Sequence, residues 1–501
     1  MKRKRIALVT PPYHAGVVES AGTWLNLGFV YIAGALKAAG HVVDYYDAMS
    51  LWHDWPEIRI RLEDFRPDVV VTTAFTASIV DALELLALVK EIRPETLTVI
   101  GNVHATFCYE ELLRDPYTPI DFVVRGEGEI TLPALLACLA AGDDPAKVAG
   151  LAFRRNGLVV ATPEAAFIAD LDSLTPAWNL VEWPIYSYYP KPDSTLAIVS
   201  SSRGCRQNCS FCSQQLFWKQ TWRARTPENF VDELVMLRKR FGVNVVMLAD
   251  EIPTLDRERW ERILDLLIER RLDIKLLMET RVNDILRDED ILDKYRLAGV
   301  EHIYVGVEAG SQAMLDLFKK GTRVEQSKRA IELINRADIV SETSFVLGMP
   351  DETPESIAAT VELAIHYDPD MAFFLAIAPW PYADLYPALE EHIATRDYRK
   401  YNLVEPVVKP RNMTLAQLER ELGRAAQNFY MHKFKNLERL TPWKQEFMLA
   451  VFTILIENSY LAGQMRAMAG TGEGMPAAMR ETLNKLKGKK EGDGKSFAPI
   501  P

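Results

Sequence analysis

Three cysteines fall within eight residues, in the run Arg203-Gly204-Cys205-Arg206-Gln207-Asn208-Cys209-Ser210-Phe211-Cys212-Ser213. Three thiolates can hold three irons of a 4Fe–4S cluster, which usually takes four. The fourth iron is then open to a small ligand. The same residues could also be a zinc knuckle or a redox thiol pair. Zinc normally takes four ligands, and no fourth one is near. The closest other cysteine is Cys138 and the closest downstream histidine is His302. The ligand count therefore favours the cluster.

The loop needs a scaffold, and the surrounding pattern supplies one. From Leu196 on, short apolar runs alternate with helical periodicity. Strands are predicted at Ala197–Ser201, Asn244–Leu248, Lys275–Glu279, His302–Gly306, Thr343–Leu347 and Ala372–Ile377. The cysteine loop follows the first of six β–α units, at the carboxyl face where barrel enzymes keep their chemistry. Residues 1–150 repeat the rhythm, with strands expected at Arg5–Thr10, His41–Tyr46, Val69–Thr73, Thr98–Gly101 and Phe122–Arg125. Such alternation predicts an α/β fold with a parallel, doubly wound sheet. Ligands of these sheets sit at the carboxyl ends of the strands. Here those ends carry Tyr13, His14, Asp47, Thr73, Ser78, Gly101, His104, Thr106, Gly126 and Glu127. No G-x-G-x-x-G follows the first strand, so a dinucleotide is a poor guess.

The division expected is 1–150 for the first domain, 151–190 a linker, 191–395 the cysteine-bearing core, 396–486 a helical region and 487–501 a disordered tail. In the helical region Leu415–Lys433 and Trp443–Met468 have 3.6-residue periodicity and are expected to cover the mouth of the core. The tail is charged and glycine-rich. Aromatics gather at Trp380, Tyr382, Tyr386, Tyr398, Tyr401, Phe429 and Tyr430. A flat hydrophobic substrate or plain core packing would each account for them.

The 501 residues carry a net charge of −11, which argues against a general nucleic-acid surface. Of the five cysteines, Cys108 and Cys138 lie outside the motif and read as buried thiols, so a disulfide framework is not expected. The compartment implied is cytoplasmic, with peripheral membrane contact left open. The apolar run Phe447–Ile456 has about half the length that a membrane span needs. The apolar stretch after the basic N-terminus is too short for a signal peptide.

The cysteine spacing, with Phe211 before the third cysteine, resembles the radical SAM signature. That resemblance implies a partial (β/α)6 barrel, with S-adenosylmethionine on the open iron and Phe211 among the residues that meet it. It also implies uses for the later strand ends. Asp250 and Glu251 resemble the position that accepts from the methionine ammonium. Arg281 offers a fork to the carboxylate. Glu308 and Ser311 would meet the ribose, and Gly348 would let backbone approach the adenine. A Rossmann-like domain ahead of such a core is similar to the cobalamin-binding domain of cobalamin-dependent radical SAM enzymes, and Val124-Arg125-Gly126-Glu127-Gly128-Glu129 matches that class's last strand end. The ten strand-end residues of the first domain are accordingly cobalamin candidates. Corrinoid mutases use D-x-H-x-x-G, whose aspartate orients the ligating histidine. The chain has Pro12-Tyr13-His14-Ala15-Gly16 without that aspartate. His14 is therefore not expected to ligate cobalt, and the nucleotide tail is expected within the sheet.

Several runs resemble, more specifically, the anaerobic magnesium-protoporphyrin IX monomethyl ester oxidative cyclases of bacteriochlorophyll synthesis. They include His104-Ala105-Thr106-Phe107, Phe217-Trp218, Leu248-Ala249-Asp250-Glu251, Thr280 to Asp288, and Ala378-Pro379-Trp380-Pro381-Tyr382. The resemblance implies oxidative closure of the isocyclic ring with a keto oxygen from water. It implies a magnesium porphyrin substrate and an electron donor such as flavodoxin or ferredoxin. The alternative from the same architecture is a cobalamin-dependent radical SAM methyltransferase acting on another small molecule or lipid.

Overall fold

The computed structural model describes residues 3–14 and 21–457. The tail expected at 487–501, Ala15-Gly16 and the part of the last predicted helix beyond 457 lie outside the described residues.

The first sheet contains β1 (Arg5–Val9), β2 (Val42–Tyr46), β3 (Val69–Thr73), β4 (Leu97–Gly101), β5 (Phe122–Val124), β6 (Leu151–Arg155) and β7 (Leu158–Ala161). Their order is β2-β1-β3-β4-β5-β6-β7. β1 to β5 pair in parallel. Alternate residues serve opposite faces, as the two-residue period of a strand requires. Ile6 and Leu8 join the core under α1 (Leu27–Ala38), with Phe29, Val30 and Leu36. Ala7 and Val9 join the opposite core, with Ile58 and Leu62 of α2 (Trp55–Phe65) and Leu85 of α3 (Ile79–Ile92). Helix α4 (Val103–Arg114) follows β4, and α5 (Gly128–Ala141) follows β5. Both faces are covered, which is why these strands are nearly continuous apolar runs.

One boundary differs from expectation. The stretch expected as linker from residue 151 begins with β6 and β7, which extend the sheet edge antiparallel to β5. Asn156 and Gly157 both have positive φ, 52° and 80°, and make the tight turn between them. An Asn-Gly pair between short apolar runs is a hairpin signal, and it was legible in the chain.

The second sheet is built from β8 (Leu196–Val199), β11 (Val245–Leu248), β12 (Lys275–Arg281), β13 (Val300–Gly306), β14 (Val340–Leu347) and β15 (Met371–Ala376), all parallel in the order β15-β14-β13-β12-β11-β8. These six strands match the predicted ones to within a few residues. Between β8 and β11 stands a small antiparallel hairpin, β9 (Ser202–Gly204) and β10 (Trp222–Ala224). Its connecting loop carries the three cysteines.

The helix Leu415–Lys435 lies along β15 and the helix Pro354–Tyr367, where Phe429 packs on Phe374 with ring centroids 6.1 Å apart. The helix Pro442–Glu457 buries Phe447, Met448, Val451, Phe452 and Leu455 in the main core. Two ion pairs pin these helices, each at 2.7 Å: Lys444 to Asp370, which is buried, and Lys433 to the exposed Asp368. The helices expected over the mouth therefore brace the β15 side of the sheet, where their long apolar faces find a matching surface. Leu418 reaches Gly348 at the carboxyl end of β14. Among the described residues no helix is long and apolar enough to cross a membrane.

Candidate active site

The cysteine loop is closed at its base by one glycine. Gly204 has φ of +100°, and a Cβ there would stand 2.2 Å from the carbonyl oxygen of Thr221. Only glycine lets the two legs of the hairpin approach so closely while the chain turns toward Cys205. Beyond it, Ser210 anchors the loop. Its N–H donates to Phe318 O at 3.0 Å, its hydroxyl donates to Leu317 O at 2.8 Å, and its carbonyl accepts from Leu385 N at 2.9 Å. Phe211 packs edge-on against Phe318, with centroids 5.0 Å apart. Phe211 thus seats the loop on the segment after β13.

Cys205, Cys209 and Cys212 are half-buried. Burial pushes all three thiols up, Cys212 to about 12. A bound cation reverses that balance, since metal ligation deprotonates a thiol. Among the described residues, no three His, Cys, Asp or Glu side chains converge on the volume of a single ion. Three soft donors on one loop are a ligand set for a polynuclear iron–sulfur cluster. Cations stand beside them: Arg281 lowers the thiols of Cys205 and Cys209 against the larger effect of burial, and Lys320 does so for Cys209 and Cys212.

The strand-end candidates divide. Arg281 ends β12 and makes no ion pair among the described residues, so its fork is open to a ligand. Glu251 accepts from Gly204 N at 3.0 Å and from Trp218 Nε1 at 2.6 Å. Asp250 is fully buried, and its carboxylate accepts from the Ser201 N–H and from the hydroxyls of Ser201 and Ser202. It holds the turn after β8. Ser311 is exposed, and its hydroxyl caps the short helix Gln312–Leu317 by accepting from Met314 N at 3.3 Å. Glu308 is buried and already paired with Lys320 at 2.6 Å, with the Ser344 hydroxyl donating to its other oxygen. Gly348 is a close-approach point, but the described neighbour is Leu418, 2.9 Å from where a Cβ would be. Lys320 escaped the sequence analysis, as did Glu279. The latter stands among Glu251, Lys320, Asp250 and Glu308, where burial pushes its carboxyl up to about 8. Their inward faces emerge only once the six strands are curled together.

A cavity of about 470 Å³ lies between the carboxyl ends of β3 to β5 and the cysteine-loop hairpin. Of the ten first-domain candidates, Thr73, Gly101, Gly126 and Glu127 line it. Gly126 has φ of +83° and open space where a Cβ would be, so the missing side chain leaves room for a ligand. Phe75 and Asn102 complete this side, and Arg203, Phe217, Trp218 and Glu251 form the far wall. A glycine-edged cavity at the carboxyl ends of a parallel sheet, walled by α1 and α5, is placed to hold a corrinoid. Among the described residues, no histidine lines it.

The remaining candidates have other employment. Tyr13 donates to the Arg399 carbonyl at 3.0 Å. His14 is exposed and stacks on Trp52, with rings 4.0 Å apart and 3° from parallel. Asp47 is fully buried, taking bonds from Thr10 and Tyr186 hydroxyls at 2.9 and 2.8 Å. Ser78 closes a turn with the Phe75 N–H at 3.1 Å, and Thr106 accepts from Gly126 N at 3.1 Å. His104 is buried, its Nδ1 at 3.1 Å from the Thr76 hydroxyl, and burial lowers its pKa to about 4. These six support the loops around the cavity and do not line it; a single sequence cannot tell a strand end's lining residues from its braces. Of the expected aromatic cluster, Tyr401, Phe429 and Tyr430 are core residues. Tyr382 instead sits at the junction, stacked on Phe107 at 5.0 Å, with its hydroxyl 2.8 Å from that of Thr76.

Comparison with known proteins agrees with this architecture. Residues 13–136 match the B12 binding domain and residues 199–364 the radical SAM superfamily. The anaerobic magnesium-protoporphyrin IX monomethyl ester cyclase of Rubrivivax gelatinosus is 39% identical over 86% of this chain and 78% of its own length. The enzyme of that name from Cereibacter sphaeroides is 38% identical, over 89% and 74%. Among solved structures, the cobalamin-dependent S-adenosylmethionine radical enzyme OxsB with aqua-cobalamin and S-adenosylmethionine bound aligns with a TM-score of 0.70 at 17% identity, covering 99% of this chain and 82% of that one. It shares the fold.

Proposed function

The chain belongs to the cobalamin-dependent radical SAM enzymes, within the family of the anaerobic magnesium-protoporphyrin IX monomethyl ester cyclases, and on that premise we propose that it closes the isocyclic ring of this ester to give protochlorophyllide. The observation that carries the reading is the junction itself. A three-cysteine loop faces the strand ends of a doubly wound sheet across one shared cavity. Its cofactors are a 4Fe–4S cluster, S-adenosylmethionine and cobalamin. Bound together, they supply a carbon radical able to abstract hydrogen from an unactivated side chain, and a second one-electron centre to oxidise what results.

The chain's own residues hold and orient these parts. Cys205, Cys209 and Cys212 would ligate three irons. Arg281 would fork onto the methionine carboxylate, and Glu251 would accept from the ammonium. Thr73, Gly101, Gly126 and Phe75 would line the corrinoid slot. Phe107, Phe217 and Tyr382 form an aromatic row beside the cysteine loop, a surface suited to a flat macrocycle. The substrate brings its own magnesium. A flavodoxin- or ferredoxin-type protein would supply the reducing electron. The location we infer is the cytoplasm, with contact at the membrane surface where a hydrophobic macrocycle partitions.

The test is anaerobic turnover of the reconstituted protein with S-adenosylmethionine, a reductant, cobalamin and the porphyrin ester in oxygen-18 water. Protochlorophyllide with a labelled keto oxygen is expected. A methylated product together with S-adenosylhomocysteine would instead establish the methyltransferase alternative.

A further inference from the structure

The cysteine loop is gripped from the first domain. Arg203 and Arg223 are directly paired across the β9–β10 hairpin, one on each leg. Both guanidinium groups converge on Glu127: Arg203 Nη1 donates to Oε1 at 2.7 Å and Arg223 Nη1 to Oε2 at 2.9 Å. Arg203 Nη2 donates to Glu129 at 2.7 Å. None of the four side chains is more than 13% exposed. Arg203 also lies over the Tyr31 ring of α1, 5.0 Å from its centroid. Glu127 and Glu129 alternate with Gly126 and Gly128, all of which line the cavity, as does Arg203. A ligand in the cavity therefore touches the grip itself.

Two residues past Arg203 comes Cys205. Between them, Gly204 donates to Glu251, whose other oxygen accepts from Trp218, and both of these also line the cavity. Two hydrogen-bonded routes thus run from the cavity wall to the loop. A buried charge is strongly penalised when its partner leaves, so the hairpin must follow Glu127 and Glu129 if they shift.

We propose that Glu127 and Glu129 are positioning residues for the cysteine loop, and that corrinoid occupancy of the cavity and S-adenosylmethionine binding at the loop are coupled through Arg203. The inference rests on the cobalamin reading of the cavity. Coupling between two binding sites is reciprocal, so S-adenosylmethionine also tightens the corrinoid.

The test uses the full chain, anaerobically reconstituted with iron and sulfide. S-adenosylmethionine is titrated with and without hydroxocobalamin, followed by the electron paramagnetic resonance of the reduced cluster. Cobalamin should tighten S-adenosylmethionine by about fivefold or more, the range of ordinary coupling. Glu129→Gln takes the charge from one arm of the grip and leaves Glu127 between the arginines. It should keep iron while the coupling falls to an intermediate value. Arg203→Lys keeps the charge but cannot span both carboxylates, and should bring the coupling toward onefold. A grip that merely glued the halves together would alter thermal stability and leave the coupling intact in both variants, which would overturn the proposal. So would independent binding of the two ligands to the unaltered protein. Failure of that protein to take up cobalamin would overturn the cavity reading and this inference with it.

Discussion

Replacing Gly204 by alanine should unseat the cysteine loop. At φ of +100° an L-residue lies in a region almost confined to glycine, and the strain is about 1–3 kcal/mol. The added Cβ would meet backbone, at 2.2 Å from Thr221 O and 3.1 Å from Thr221 C, with no flexible side chain to yield. The hairpin legs must part. Parting them endangers the Gly204 N–H bond to the Glu251 carboxylate, of a kind worth about 1.5–3 kcal/mol. The sum, roughly 2.5–6 kcal/mol by those figures, falls on a hairpin with three-residue legs and at its upper end reaches the lower range of whole-domain stability. The assay is iron and sulfide content after anaerobic reconstitution, beside the far-ultraviolet circular dichroism melt. Gly204→Ala should lose most of its iron while retaining most of its secondary structure. Gly242→Ala is the control: that residue caps a helix at φ of +73° with nothing within 4 Å of a Cβ. It should lose about 1 kcal/mol, the usual left-handed penalty, and no iron. Full iron with an unaltered cluster spectrum in Gly204→Ala would refute the reasoning, because the close approach would then be irrelevant to the loop.

Replacing Cys205, Cys209 and Cys212 together by alanine should abolish the brown chromophore and deoxyadenosine formation; retained iron would locate the cluster elsewhere. Arg281→Lys should weaken S-adenosylmethionine binding by about 1–3 kcal/mol with the cluster intact, measured by equilibrium dialysis; unchanged affinity would mean that its fork faces another group. His14→Ala should leave the electron paramagnetic resonance of bound cob(II)alamin unchanged, since His14 stacks on Trp52 outside the cavity; loss of a nitrogen superhyperfine pattern would show that it ligates. The neutral form of His104 is favoured in the fold, with a pKa near 4 against 6.5 when free. The unfolded chain therefore takes up a proton first as pH falls, and this contribution to stability is complete above pH 6.5 and lost progressively toward pH 4. A His104→Gln variant should show a shallower decline of unfolding free energy over that window, by up to about 1.4 kcal/mol per pH unit, measured by denaturant titration; parallel curves would contradict it.

The chain alone specified its chemistry because that chemistry is local. A C-x3-C-x2-C loop is a ligand set whatever surrounds it, and Gly204 and Ser210 hold it within a few residues. The strands of both sheets were legible too, since a strand covered on both faces must be apolar along its length and its helix must show the 3.6-residue stripe. What could not be read was direction. Asp250 and Glu251 are neighbours, yet one turns back to Ser201 and Ser202 while the other reaches Gly204 and Trp218. Adjacent strand-end residues point to opposite sides, and only the curl of the sheet decides which side is the site. Glu127 read as a cofactor residue because it follows β5; the sequence did not show that its carboxylate is also held by Arg203 and Arg223, 76 and 96 residues away. A buried charge is satisfied by whatever the fold brings to it, so tertiary structure alone paired these residues and joined the two halves at one cavity.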